Sequence, residues 1–240
     1  MQKVPSSPPK PVSEFWRPEL TYLPRLTLWR RLFRRLVHGL ARLLVFICTR
    51  PAVYGLENYP RQGPALVVTN HLGDPDPVLE IAFWPVMPEA MAKIELYNVP
   101  ILGWIMENLG VIWVHRGQAD RHAIQAALQG LREGRIIGIA PEGRESLTGG
   151  LEEGTGGAAY LALKVEAPIV PVTLTGTETW RVYGNLKRLH RTPVTLTVGK
   201  PFRLTQYPDR HEAIRRGTRQ IMEVLARQLP LEYRGIYRSD

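Results

Sequence analysis

Between Ala65 and Gln228, short apolar runs alternate with helical patterns, and that alternation restricts the possible folds more than any other feature of the chain. Ala65–Thr69 reads as a buried strand, Pro77–Trp84 as the start of a helix, Ala90–Ile94 as a short strand and Pro100–Leu109 as a helix. Val111–His115 reads as a strand, Ala119–Glu133 as a helix closed by Gly134, and Ile136–Ala140 as a strand. Gly156–Val165 follows as a helix with a small-residue face, Ile169–Thr175 and Val194–Gly199 as strands, and Asp209–Gln228 as the last helix. Strands and helices at this spacing predict an α/β fold, a layered sheet flanked by helices.

Size and composition suit one such domain with an appendage. The chain has 240 residues, 44% of them hydrophobic and 22% charged, which excludes collagen-like, coiled-coil and wholly disordered classes. The net charge of +9 asks for an anionic partner such as lipid headgroups, a phosphorylated substrate or nucleic acid. The single cysteine, Cys48, excludes an intramolecular disulfide framework and fits a reducing compartment. No window of 18 residues is free of charged side chains, so a transmembrane helix is not expected. Nor is a signal peptide, because the first 24 residues carry six prolines and no apolar core.

Three segments are expected: a Pro-rich irregular leader over residues 1–24, a basic helical segment over 25–50, and the α/β domain over 51–240. In the second, Trp29, Leu32, Phe33, Leu36, Val37, Leu40, Leu43, Leu44 and Ile47 follow the spacing of one helical face. Arg30, Arg31, Arg34, Arg35, His38 and Arg42 fill the gaps with no acidic residue to offset them. A helix of this kind suits an anionic membrane surface, its apolar face inserted and its arginines on phosphates. The same pattern also suits a helix packed on its own domain with a solvated arginine side. Nucleic-acid binding is not expected, since the basic residues lie on an amphipathic face without interleaved stacking aromatics.

Candidate chemistry gathers at strand ends, where open α/β sheets bind ligands. Thr69-Asn-His-Leu-Gly-Asp-Pro-Asp-Pro77 follows the first strand of the alternation, and His71 is the best general base in the chain. Asp76, five positions on across a loop turned by Gly73 and Pro75, can return to the other ring nitrogen and fix the tautomer. Turn and cap roles for Asp74 and Asp76, or a metal held by His71, Asp74 and Asp76 in a phosphohydrolase, are the alternatives for this loop. After Ile136–Ala140 comes Pro141-Glu-Gly-Arg-Glu-Ser146, in which Gly143 allows close backbone approach and Arg144 can grip a phosphate. Arg116 follows the strand Val111–His115 and faces the same end of the sheet.

Other chemistries lack their signatures. There is no G-x-S-x-G elbow, no phosphate-binding glycine loop with its lysine, and no dinucleotide fingerprint.

The order of these motifs resembles the glycerolipid acyltransferases, above all the 1-acylglycerol-3-phosphate acyltransferases. Asn70-His71 with Asp76 is similar to that family's N-H-x4-D block, and Gly110, Trp113 and Arg116 to its G-x-x-F-x-x-R block. Pro141-Glu142-Gly143 resembles the third block and Ala167–Val172 the fourth, while Lys93-Ile-Glu-Leu96 resembles a K-x-E-L stretch between the first two. The resemblance implies acyl transfer from an acyl-CoA or acyl-carrier-protein thioester to the hydroxyl of a lysophospholipid, with no cofactor, no metal and no acyl-enzyme. His71 would be the base and Asp76 its orienter. Asn70, Arg116, Glu142, Gly143 and Arg144 would belong to the substrate site, and Lys93 would steady an oxyanion or a phosphate. It further implies a peripheral protein at the cytoplasmic face of a membrane, held through Trp29–Ile47. The third block departs from the family pattern, with Arg144 and Glu145 where threonine and arginine are usual. A membrane-surface lipid-binding protein of the same fold without catalysis is the alternative reading.

Overall fold

The structure is a computed structural model that describes residues 9–117 and 120–238. The first eight residues of the Pro-rich leader lie outside those described. A seven-stranded sheet forms the middle layer. Its strands are β1 (Thr49–Tyr54), β2 (Ala65–Thr69), β3 (Glu89–Lys93), β4 (Ile112–Val114), β5 (Ile136–Ile139), β6 (Ile169–Thr175) and β7 (Thr192–Val198). Their order across the sheet is β1-β7-β6-β2-β5-β3-β4. All neighbours are parallel except β6 and β7. The C-terminal ends of β6, β2, β5, β3 and β4 therefore share one edge, and each is followed by a loop that can reach a common site.

Continuous apolar runs explain the middle layer. β2 (Ala-Leu-Val-Val-Thr) and β6 (Ile-Val-Pro-Val-Thr-Leu-Thr) are buried along all but their last residue, as central strands covered on both faces must be. Against one face pack α4 (Arg121–Arg132), α5 (Gly157–Val165) and α7 (Arg210–Gln228), whose Ala127, Leu131, Leu161, Met222 and Leu225 join Leu66, Val68 and Ile169 in the main core. The other face takes α1 (Leu28–Cys48) and α2 (Pro75–Phe83), which place Ala41, Val45, Leu79 and Ala82 against Val67, Val170 and Val172. Two short helices, α3 (Leu102–Leu109) and α6 (Thr179–Leu186), complete the set.

β1 and α6 have no counterpart among the predicted elements. Pro51 ends the long helical pattern, yet it also sits inside β1, where an edge strand tolerates a residue with no N–H to donate. Thr179-Trp-Arg-Val-Tyr-Gly-Asn-Leu carries too few apolar positions to stand out as a helix, and only Val182 is buried.

α1 corrects the expected placement of its arginines. Thr27 caps it, its side chain accepting from the Arg30 N–H at 3.3 Å, and Phe33, Ala41 and Val45 point into the domain. Arg30 and Arg34 also turn inward. Arg30 pairs with Glu107 at 3.1 Å, and Arg34 donates to the carbonyls of Leu109 and Met87 and reaches Glu89 at 3.4 Å. His38 lies against the carbonyl of Ile81 at 2.8 Å. These groups are engaged by the domain. The outer face is apolar instead: Trp29, Leu32, Leu36 and Leu40 are 57%, 49%, 59% and 51% exposed, and Leu43 and Ile47 continue the stripe. Arg31, Arg35 and Arg42 are exposed beside it. Trp104 of α3, which meets Phe33 edge-on, extends the patch. No helix among the described residues is long and apolar enough to cross a membrane.

Candidate active site

The loop between β2 and α2 brings His71 and Asp76 together. The imidazole Nδ1 stands 2.7 Å from Oδ2 of Asp76, and the same oxygen accepts from the backbone N–H groups of Leu72 at 2.6 Å and Gly73 at 3.0 Å. An oxygen that accepts from three sides makes the ring nitrogen the donor, so Nδ1 carries the proton and Nε2 keeps its lone pair. Asp76 is buried at the start of α2, and His71 keeps about a quarter of its side chain exposed. Burial of the ring opposes its charge, but the hydrogen bond and negative charge of Asp76, helped by Glu145, outweigh that and raise the His71 pKa.

Backbone packing sets the loop. A side chain at Gly73 would stand 2.4 Å from Oγ1 of Thr179 and 2.7 Å from its backbone nitrogen, so only glycine lets the loop close on α6. Asn70 bridges the end of β2 to β6: its Nδ2 donates to the Leu174 carbonyl at 3.0 Å and its Oδ1 accepts from the Leu174 N–H at 2.8 Å. Its amide thus ties the end of β2, next to His71, to the backbone of β6. Glu142 works in the same way from the end of β5, its carboxylate accepting from the N–H groups of His71 at 3.3 Å and Glu152 at 2.7 Å. Burial pushes its pKa up to about 7. Gly143 turns that loop at a φ of +72°.

Arg144 departs from expectation. It is buried, ion-paired with Glu152 at 2.6 Å, and donates Nε to that carboxylate at 2.7 Å and Nη1 to the Pro9 carbonyl at 3.1 Å, so the protein itself engages most of its fork. Its neighbour Glu145 is the residue that reaches the site, with Oε1 3.8 Å from Nε2 of His71. Lys93 and Arg116 close β3 and β4 further along the edge. Arg116 lies 3.6 Å from Glu95, and its buried Nε has no partner among the described residues. The leader crosses these strand ends: Lys10 donates to the carbonyls of Glu142 and Glu153, and Ser13 exchanges hydrogen bonds with the backbone of Arg116.

A second histidine repeats the spacing and separates the two roles. His115 meets Asp120 at 2.7 Å as His71 meets Asp76, but it is fully buried and its Nε2 accepts from the Arg17 N–H at 2.9 Å. Both its nitrogens are engaged. Of these two histidines, His71 is the one that offers a free nitrogen next to solvent. Asp76 and the exposed Asp74 form no metal nest with it, and the described residues contain no group of three metal-ligating side chains.

Glu80 and Glu145 were not singled out as site residues by sequence. Glu80 was legible as the position one helical turn beyond Asp76; Glu145 registered only as a departure from the family pattern.

A family model described as Acyltransferase matches residues 50–175, more than half of the chain and including every residue just discussed from Asn70 to Glu145. The 1-acyl-sn-glycerol-3-phosphate acyltransferase of Borreliella burgdorferi is 34% identical over 128 residues, 52% of this chain and 51% of that protein. The chloroplastic 1-acyl-sn-glycerol-3-phosphate acyltransferase of Brassica napus is 28% identical over 191 residues, 76% of this chain and 55% of that protein. The chain thus spans about half the length of these curated relatives. The crystal structure of the 1-acyl-sn-glycerophosphate acyltransferase PlsC from Thermotoga maritima shares the fold, with a TM-score of 0.65 and 22% identity over 83% of this chain and 80% of that one. The mixed sheet, the His71 and Asp76 loop at its edge and the span of the family match agree, and the chain belongs to the acyltransferase family.

Proposed function

We propose that the protein transfers a fatty acyl group from an acyl thioester, acyl-CoA or acyl-carrier protein, to the free hydroxyl of a lysophospholipid. The acceptor proposed is 1-acylglycerol-3-phosphate, named in the relatives' activities, and the product is phosphatidic acid. The observation that carries the reading is the pairing of His71 Nδ1 with Asp76, which leaves Nε2 as an acceptor at the sheet edge.

In this mechanism the acceptor hydroxyl gives its proton to Nε2 of His71 as its oxygen attacks the thioester carbonyl carbon. Asp76 stabilises the imidazolium that forms. Collapse of the tetrahedral intermediate breaks the carbon–sulfur bond, and the proton passes from Nε2 to the departing thiolate. The acyl group goes straight to the acceptor, with no acyl-enzyme, once both substrates are held side by side. Arg116, with its unpartnered Nε, and Lys93 would meet the anionic parts of the substrates. Asn70, Glu142 and Gly143 act through the loops they hold.

A lipid acceptor requires the domain to sit at a bilayer. The outer face of α1 supports this, since its exposed leucines can enter the headgroup boundary while Arg31, Arg35 and Arg42 flank them. The protein would then be peripheral, on the cytoplasmic face. Mass-spectrometric detection of the diacyl product from 1-acylglycerol-3-phosphate, with palmitoyl-CoA and palmitoyl-carrier protein offered separately, tests the reaction and distinguishes the donors. No diacyl product from either donor would count against it.

A further inference from the structure

Glu80 is a carboxyl group that the mechanism does not use, although it adjoins the proposed base pair. It lies on α2 one turn beyond Asp76, and that spacing places both side chains on one side of the helix. Part of Glu80 is exposed, but its Oε1 is shielded from solvent and has no hydrogen-bond partner among the described residues. The same is true of Oδ1 of Asp76, the oxygen that does not hold His71. Two neighbouring carboxyl groups with shielded oxygens resist carrying two negative charges, and one proton shared between them would give both orphaned oxygens a partner.

The surroundings agree. Burial, then the charge of Asp76, push Glu80 up to about 8, against the Thr69 hydroxyl and His71, which favour its ionised form. Burial above all, with nearby carboxyl groups in support, pushes the phenol of Tyr59, from the loop before β2, well above the usual range, so it carries no charge beside Glu80. From α1, His38 is held at the Ile81 carbonyl and Arg42 lies over the rings of Phe46 and Phe83. Glu145 acts from the far side, on Nε2 of His71.

We propose that Glu80 is a positioning residue that keeps its proton and donates it to Oδ1 of Asp76, holding Oδ2 on His71 Nδ1 and limiting how strongly Asp76 favours the imidazolium. The inference rests on His71 acting as the base. Glu80→Gln keeps an N–H donor for Asp76 and an oxygen for Thr69, whereas Glu80→Leu removes both.

The test is the pH dependence of kcat/KM for acyl transfer in the wild type, Glu80→Gln, Glu80→Leu and His71→Ala, with the His71 ring titrated by NMR in the same proteins. The acid limb belongs to the coupled cluster rather than to one residue. It is expected to stay in place in Glu80→Gln and to move up by about half a pH unit or more in Glu80→Leu, where Asp76 loses its donor. A downward move in Glu80→Gln, the sign of a charged Glu80 in the wild type, would overturn the proposal. So would an unmoved limb in a folded Glu80→Leu. Should Glu80→Leu not fold, the Glu80→Gln comparison with the wild type decides alone. Activity in folded His71→Ala would overturn the base assignment itself, whereas an inactive His71→Ala beside unmoved Glu80 variants overturns only the role of Glu80.

Discussion

Oδ2 of Asp76 holds Nδ1 of His71 at 2.7 Å while accepting from the backbone at Leu72 and Gly73, so a single oxygen fixes both the ring and the loop that carries it. Asp76→Asn removes the charge that stabilises the imidazolium and allows the wrong tautomer. We expect kcat to fall by about 10²–10⁴-fold with acceptor KM little changed. Steady-state kinetics on the folded variant check this, and a fall of less than tenfold would contradict the role given to Asp76.

The arginines of α1 divide into two groups with different readouts. Arg34→Glu sets a carboxylate against buried Glu89 and is expected to destabilise the fold by about 3–5 kcal/mol in a denaturant titration. Arg31, Arg35 and Arg42, which face solvent beside the exposed leucines, are expected to act on membranes. At about 1 kcal/mol per arginine, changing all three to glutamate should weaken binding to anionic vesicles by roughly a hundredfold while leaving the fold stable. Unchanged vesicle flotation by the triple variant would contradict the membrane role.

Asn70 is occupied at both ends by Leu174, so Asn70→Ala leaves a buried N–H and a buried carbonyl of β6 without their partner. The expected loss of stability is about 2–4 kcal/mol. Urea unfolding measures it, and a loss below about 0.5 kcal/mol would show that the bridge does not hold the loop.

Stability should also depend on pH through Glu80 and Glu142, raised to about 8 and about 7 from an ordinary 4.5. A carboxyl raised in the folded state contributes stability that is whole below its unfolded pKa and is lost as pH rises through its folded value. The wild type should therefore lose stability between pH 5 and pH 9. Glu80→Gln has no such proton to lose and should fall less, ending higher in Tm by about 4 °C or more at pH 9. Parallel curves would show that Glu80 ionises freely in the folded protein.

Much of this architecture was legible from periodicity. The runs at Ala65–Thr69 and Ile169–Thr175 became β2 and β6 with the same bounds, because central strands are apolar on both faces and end at turns. β1 was hidden by Pro51, which stops a helix and is tolerated at a sheet edge by the same missing N–H. The pairing of His71 with Asp76 could be anticipated because both lie in one short loop. The fates of Arg34 and Arg144 could not, since each depends on a partner chosen by tertiary packing, Glu89 from β3 and Glu152 from the far side of a loop. Helical spacing located the apolar stripe of α1 but not which side of that helix the domain would cover.

Direct transfer with His71 as base is tested by following thiol release and bound acyl group together in wild type and His71→Ala, with and without 1-acylglycerol-3-phosphate. Release is expected to require the acceptor, with no acyl group retained on the protein and loss of turnover in folded His71→Ala. Acceptor-independent release with a protein-bound acyl group, or near-normal turnover by His71→Ala, would contradict it.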